Sequence, residues 1–311
     1  MGAVLNFIID SIQESFFHPA RFIRKIKNHP PLDGILKIPP QTANANQIIH
    51  WNRWDSFYFD KKYALNLRNR YDSRQQYTPE LEHLVTVNET KNWWCDIRDI
   101  DCLGASKSDL SLFKTLDEFA STVNHNLIAD ISEQSLNKNL RWERGRILNN
   151  PSFYCYAWDN KRIHLCNSGG SHHFSAARYL ALQLNKKVPV CGKLSTFHLN
   201  SQSVFSLLNQ FDLFSVNSSD WLLISEECEY FGAPVGLYPA PRPFYDQTII
   251  FLPRNNKRSM RIAKLFKQIQ LFDFSLFLLK SLKKQENEVE LQIGLKNDEV
   301  SNRSKTYREE Q

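Results

Sequence analysis

The stretch "CNSGGSHHFSAARYLALQLNKKVPVCG", Cys166 to Gly192, sets two glycines before two histidines, a helical run and an apolar "VPV". A strand that ends in a glycine turn and opens a helix is a ready anion site. The first backbone N–H groups of a helix lack partners, and the helix dipole favours negative charge there. Gly169 and Gly170 allow positive φ and close approach of the backbone to a ligand. Ser168 and Ser171 are placed to cap the helix and touch a phosphate. His172 and His173 fall on the first turn about 100° apart, so one is expected in a cleft and the other on the sheet. The same residues also fit a plain turn into a core helix, with Phe174, Ala177, Leu180, Ala181 and Leu184 as its buried face.

Upstream, "SFYCYAWDNKRIHLC" predicts a hairpin of Phe153–Trp158 and Arg162–Cys166 turning at Asp159 and Asn160. "SLNKNLRWERGRILNN" (135–150) predicts a basic connector. "SDLSLFKTLDEFASTVNHNL" (108–127) has Leu112, Phe113, Leu116 and Phe119 at helical spacing, capped by Ser108 or Asp109. "NWWCDIRDID" (92–101) predicts a strand, and Arg98, Asp99 and Asp101 at its end are candidates to approach the loop as acids or magnesium ligands, or to be solvated loop charges. Downstream, 203–211 predicts a helix, 221–225 and 248–252 strands, 232–244 a Pro-rich loop and 255–283 a helical region.

The unit "RIHLCNSGGSHHFSAARYLALQLNKKVPVCG" resembles the core motif of the ParB/sulfiredoxin-like superfamily. That motif has a strand, a G-x-R-R or G-x-H-R turn, an Ala-rich helix and a "vPv" strand. Gly170, Ser171, His172, His173, Ala176, Ala177 and Val188–Val190 match that order. The resemblance covers roughly Trp93 to Lys193 and implies an α+β fold with a small mixed sheet, whose loop grips nucleotide phosphates. It implies phosphate contacts from Ser168, Gly169, Gly170 and Ser171, a positive or proton-shuttling role for His172 or His173, and support from Arg178 one turn on. His173 stands where the family keeps arginine, and Ser171 stands where its CTP-using members keep an acid. Histidine titrates near pH 6.5, so the loop's charge becomes conditional, and magnesium-assisted nucleotide hydrolysis loses its acid. The chain as a whole also resembles phage, satellite-phage and mobile-element proteins that include the host-killing Gop type. That implies a toxin or defence role and a host or antitoxin partner.

The bulk properties bound these readings. With 311 residues, 42% hydrophobic and 13% aromatic, the chain can bury a core. A net charge of +6 permits nucleic-acid partners without requiring them. Between Pro253 and Lys284 stand nine Lys or Arg against one acid, Asp273. Arg254, Lys257, Arg258, Arg261 and Lys264 in "RNNKRSMRIAKLFKQ" are candidates for phosphate contact with nucleic acid or for a partner surface. A solvated face of an amphipathic helix fits the same pattern, and a non-enzymatic protein acting through it is the alternative function.

Six scattered cysteines with no C-x-x-C predict reduced, mostly buried thiols in a cytoplasmic protein. His164, Cys166, His172 and His173 are close in sequence but lack ligand spacing, so no metal site is expected. Cys166 is a candidate partner for a histidine in nucleophilic chemistry, although a strand end predicts burial as a small hydrophobe. No signal peptide or spanning helix is expected, because Asp10 and Glu14 interrupt the first apolar run, and membrane-surface contact is not expected. The division expected is 1–30 amphipathic helix and basic patch, 31–92 Pro/Asn linker and aromatic segment, 93–200 the ParB/sulfiredoxin-like unit, 201–284 an α/β extension, and 285–311 a disordered tail.

Overall fold

A computed structural model of the chain describes residues 18–28, 32, 36, 39–54 and 64–286. Residues 1–17 of the amphipathic helix and basic patch expected over 1–30, and most of the tail, lie outside these residues. The fold is α+β with two five-stranded sheets, each in its own compact unit. The strands are β1 (Ala64–Asn69), β2 (Asp72–Tyr77), β3 (Val85–Asp96), β4 (Ile100–Leu103), β5 (Ser152–Tyr156), β6 (Ile163–Cys166), β7 (Pro189–Leu199), β8 (Phe211–Asn217), β9 (Val235–Pro239) and β10 (Gln247–Pro253).

The first unit gathers the described parts of 1–38, 49–85 and 200–280. Its sheet runs β2-β1-β9-β10-β8, antiparallel at every pairing. Two expectations fail here. Trp221–Ser225 is not a strand but opens the helix Trp221–Phe231, because Ile224, Cys228 and Phe231 recur every three or four residues and bury together against β8, β9 and β10 residues. The Pro-rich loop at 232–244 contains β9, a central strand whose Gly236 and Pro239 conceal its pattern. In the aromatic segment, Trp51 and Trp54 belong to the core: they are buried against Phe274 with ring centroids 5.7 and 5.5 Å apart. The helical residues 274–280 likewise bury Phe274, Phe277 and Leu278.

The second unit gathers 39–48, 86–199 and the described part of 281–311. Its sheet runs β3-β7-β5-β6-β4. The hairpin forms as predicted, with Phe153 opposite Leu165, while β4 runs parallel to β6 and β5 parallel to β7. The strand expected at 92–101 is split by a turn at Ile97–Asp99, which Asp96 and Asp99 close as a reciprocal cap. The expected helix 108–127 begins only at Leu116, capped by Thr115, and Leu112 is exposed. The expected connector at 135–150 contains the helix Glu133–Leu140.

The opening stretch forms the helix Ser171–Gln183. Phe174, Ala177, Leu180 and Ala181 are buried with Phe119, Leu136, Phe153 and Leu165, and Leu184 packs against them. The helices Leu116–Val123 and Glu133–Leu140 pack on it. That places a polar first turn over the ends of β4 and β6.

Candidate functional site

A cavity of about 590 Å³ lies where the loops after the parallel strands β4 and β6 meet the start of the helix Ser171–Gln183. Ligands of α/β sheets commonly bind outside the carboxyl ends of parallel strands, because helix N-termini converge there. Its walls are Ala105–Lys107, Trp142, Glu143 and Ser168–His173.

The two loops are stitched together by short side chains. Asn167 accepts from the Ala105 backbone N–H (3.0 Å) and donates to the carbonyls of Ala105 (2.7 Å) and Gly169 (3.0 Å). Ser171 Oγ donates to Ser106 Oγ at 2.9 Å and is buried, so it ties the loops and does not cap the helix. The N-cap is instead Gly170, left-handed at φ 72°, ψ 13°, with no side-chain cap. No described residue accepts from the backbone N–H of Ser171, His172 or His173. These are the donors that helix geometry leaves open.

Both histidines line the cavity; neither is packed on the sheet. Each is held by a buried asparagine. His172 Nδ1 lies 2.6 Å from Asn124 Oδ1, and His173 Nδ1 lies 2.9 Å from Asn139 Oδ1. The amide orientations are fixed because Asn124 Nδ2 donates to Ser175 Oγ and Asn139 Nδ2 donates to the carbonyls of Leu127 and Ser135. The asparagine oxygens therefore accept, and both imidazoles carry their proton on Nδ1. His172 Nε2 is left as acceptor for Ser108 Oγ at 3.3 Å. His173 Nε2 keeps a lone pair, and its ring stacks on Trp142 with centroids 4.8 Å apart.

Burial, with the Lys107 charge, lowers the His172 pKa below 6.5, and burial, then His172, lowers that of His173. At neutral pH both rings are uncharged and serve as hydrogen-bond partners or bases. The positive group at this loop is Lys107, which sequence reasoning missed. Trp142 and Glu143 were missed too. They hang on a reversal in which Glu143, Arg144 and Gly145 are all left-handed, at φ 43°, 60° and 78°. Each such non-glycine residue costs about 1–2 kcal/mol, so packing must hold the bend.

Arg178 does not support the cavity. It turns away, donating to the carbonyls of Ile100 and Arg98 (2.8 Å each) and pairing with Asp117. Asp101 accepts from Ile163 N–H and, with Arg162 and Arg178, lines a separate cavity of about 520 Å³. Arg98 pairs with Asp96, and Asp99 caps the turn before β4. None of these four lines the histidine cavity. Cys166 is exposed, contrary to the burial expected, and does not line it either.

A further histidine sits behind the site on β6. His164 is buried, 3.3 Å from Asp159 Oδ2, and Arg162 pairs with the same carboxylate at 3.0 Å. Burial lowers the His164 pKa despite Asp159. A histidine whose folded pKa lies below its unfolded value binds fewer protons when folded, so its contribution is present above pH 6.5 and is lost as pH falls. His164, His172 and His173 all act in this sense. Melting temperature should therefore fall as pH drops from 7 to 5, with a shallower slope in His164→Gln, read by calorimetry across buffers. An unchanged slope would assign the acid sensitivity elsewhere.

A family model described as "Family of unknown function (DUF6685)" matches residues 90–290. The chain belongs to this family. The DUF6685 match takes in every wall residue of the histidine cavity. The chain matches no curated protein and no solved structure.

Proposed function

We propose that the histidine cavity binds a nucleotide. The observation that carries this reading is one 590 Å³ space holding three complementary features: unsatisfied helix-start amides, the Lys107 ammonium and the flat Trp142 ring. Phosphate fits the amides and the lysine through charge and hydrogen bonding, and a base fits the indole by stacking. The order of strand, glycine turn, helix and "VPV" strand supports reading the unit as ParB/sulfiredoxin-like.

Within the cavity, His173 Nε2 is the proton acceptor nearest in kind to a general base, since its ring is neutral and its tautomer fixed. The residues do not fit a magnesium-dependent hydrolase of the family type. Ser171 replaces the acid and is tied to Ser106, Glu143 is the one carboxylate among the wall residues, and no three metal-ligating side chains converge among the described residues. The site is one of binding.

The test is a thermal-shift series on the full chain with CTP, ATP, GTP, UTP and inorganic phosphate, with and without magnesium. A nucleotide at a hundredfold excess over its Kd stabilises the folded state by about 2.7 kcal/mol, a shift of several degrees. Lys107→Ala and Trp142→Ala should each remove most of it. No shift with any nucleotide, or full shifts in both variants, would overturn the reading.

A further inference from the structure

The first unit carries a second, chemically different surface. The helix Lys257–Gln268 buries Ile262, Ala263, Leu265 and Phe266, and Phe266 meets Phe214 and Phe22 edge-on at 5.2 and 5.9 Å. Its opposite face exposes Lys257, Met260, Arg261 and Lys264 around a shallow recess of about 310 Å³.

The other basic residues expected to act with them are occupied. Arg254 pairs with Asp212 at 2.9 Å, a carboxylate that also holds Lys267 at 3.3 Å, and Arg258 donates to the Phe231 carbonyl. No described acid pairs with Lys257, Arg261 or Lys264. The adjoining helix Ala20–Asn28 adds Arg21, Arg24, Lys25 and Lys27, again with no acid within it; Arg21 and Lys25 are tied to the buried Glu227.

Like charges three and four residues apart on one helix face destabilise it by a few tenths of a kcal/mol per pair, and a glutamate in the stripe would relieve that. The stripe has none, so a polyanion is the partner that balances it. From Lys257 to Lys264 the helix rises about 10.5 Å. A nucleic-acid strand carries a phosphate about every 3.4 Å, so the stripe matches about three. A membrane surface fits less well. The helix's apolar face is already inside the unit, leaving Met260 as the sole large apolar side chain of the recess to insert.

We propose that Lys257, Arg261 and Lys264 form a docking face for the phosphate backbone of a nucleic acid, independent of base sequence. Fluorescence anisotropy of the full chain with labelled 20-nucleotide single strands and duplexes tests it. Three phosphate contacts give a slope of log K on log salt near −2 for single strands and −2.7 for duplexes, about 20- to 40-fold weakening from 50 to 200 mM salt. The triple variant Lys257→Gln/Arg261→Gln/Lys264→Gln should lose at least tenfold at 50 mM with an unchanged melting curve. No binding at 50 mM salt, equal affinity in the triple variant, or binding only to phosphatidylserine vesicles would each overturn the proposal.

Discussion

Gly192→Ala should cost the second unit about 3 kcal/mol or more. Gly192 lies in β7 where that strand begins to pair with β5, and a Cβ there would stand 2.2 Å from the Pro151 carbonyl oxygen and 2.8 Å from Phe153 Cε2. The obstructing oxygen is backbone, and it accepts the Lys193 N–H at 3.0 Å, so it cannot move without opening the first rung of the parallel pair. Added volume in a packed core usually costs 1–3 kcal/mol, and a fixed backbone contact places this site at or beyond the top of that range. Domains are stable by only about 5–15 kcal/mol, so the loss should show as a large shift in the urea midpoint. Gly169→Ala is the control: its Cβ would meet nothing within 4 Å, and its midpoint should stay near that of the parent chain. Equal midpoints for Gly192→Ala and the parent would refute the close β5–β7 approach.

Gly170→Val should abolish the nucleotide-induced thermal shift at a moderate cost in stability. Position 170 is left-handed, and a β-branched residue there is a steric outlier. The backbone would either bear about 1–2 kcal/mol of strain or rotate out of the left-handed region. Rotation would swing the amides of Ser171 to His173 off the cavity and pull Ser171 from Ser106. Gly170→Asn, which tolerates this conformation, should keep most of the shift. If expression of the chain arrests growth, as the Gop resemblance implies, arrest should follow the same order: present in the parent and Gly170→Asn, absent in Gly170→Val. Retention of the shift by the valine variant would detach the glycine turn from ligand binding.

The helix Ser171–Gln183 was legible because its signals are local: a glycine pair, a 3.6-residue apolar stripe and an adjacent hairpin with an Asp-Asn turn. The polar edge strand β2, "DSRQQY", was not legible, since its order comes from backbone pairing to β1 while its side chains are mostly exposed. The "WLLIS" run looked like a strand because five residues cannot reveal a period that Ile224, Cys228 and Phe231 complete over eleven.

The candidate site divides in the same way. By itself the sequence determined the glycine turn, the two histidines and their place at a helix start, because each depends on neighbours within a few residues. Tertiary structure alone decided what those groups can do. Asn124 and Asn139, 48 and 34 residues from the imidazoles they hold, set both tautomers. Partial burial, joined by Lys107 at His172 and by His172 at His173, left the rings neutral, and a left-handed bend brought in Trp142 and Glu143. Arg178, which looked like support for the loop, satisfies the backbone carbonyls of Arg98 and Ile100 at the start of β4 instead. A side chain's protonation and partners depend on the dielectric and hydrogen-bonding groups around it, and those are assembled from distant parts of the chain only when it folds.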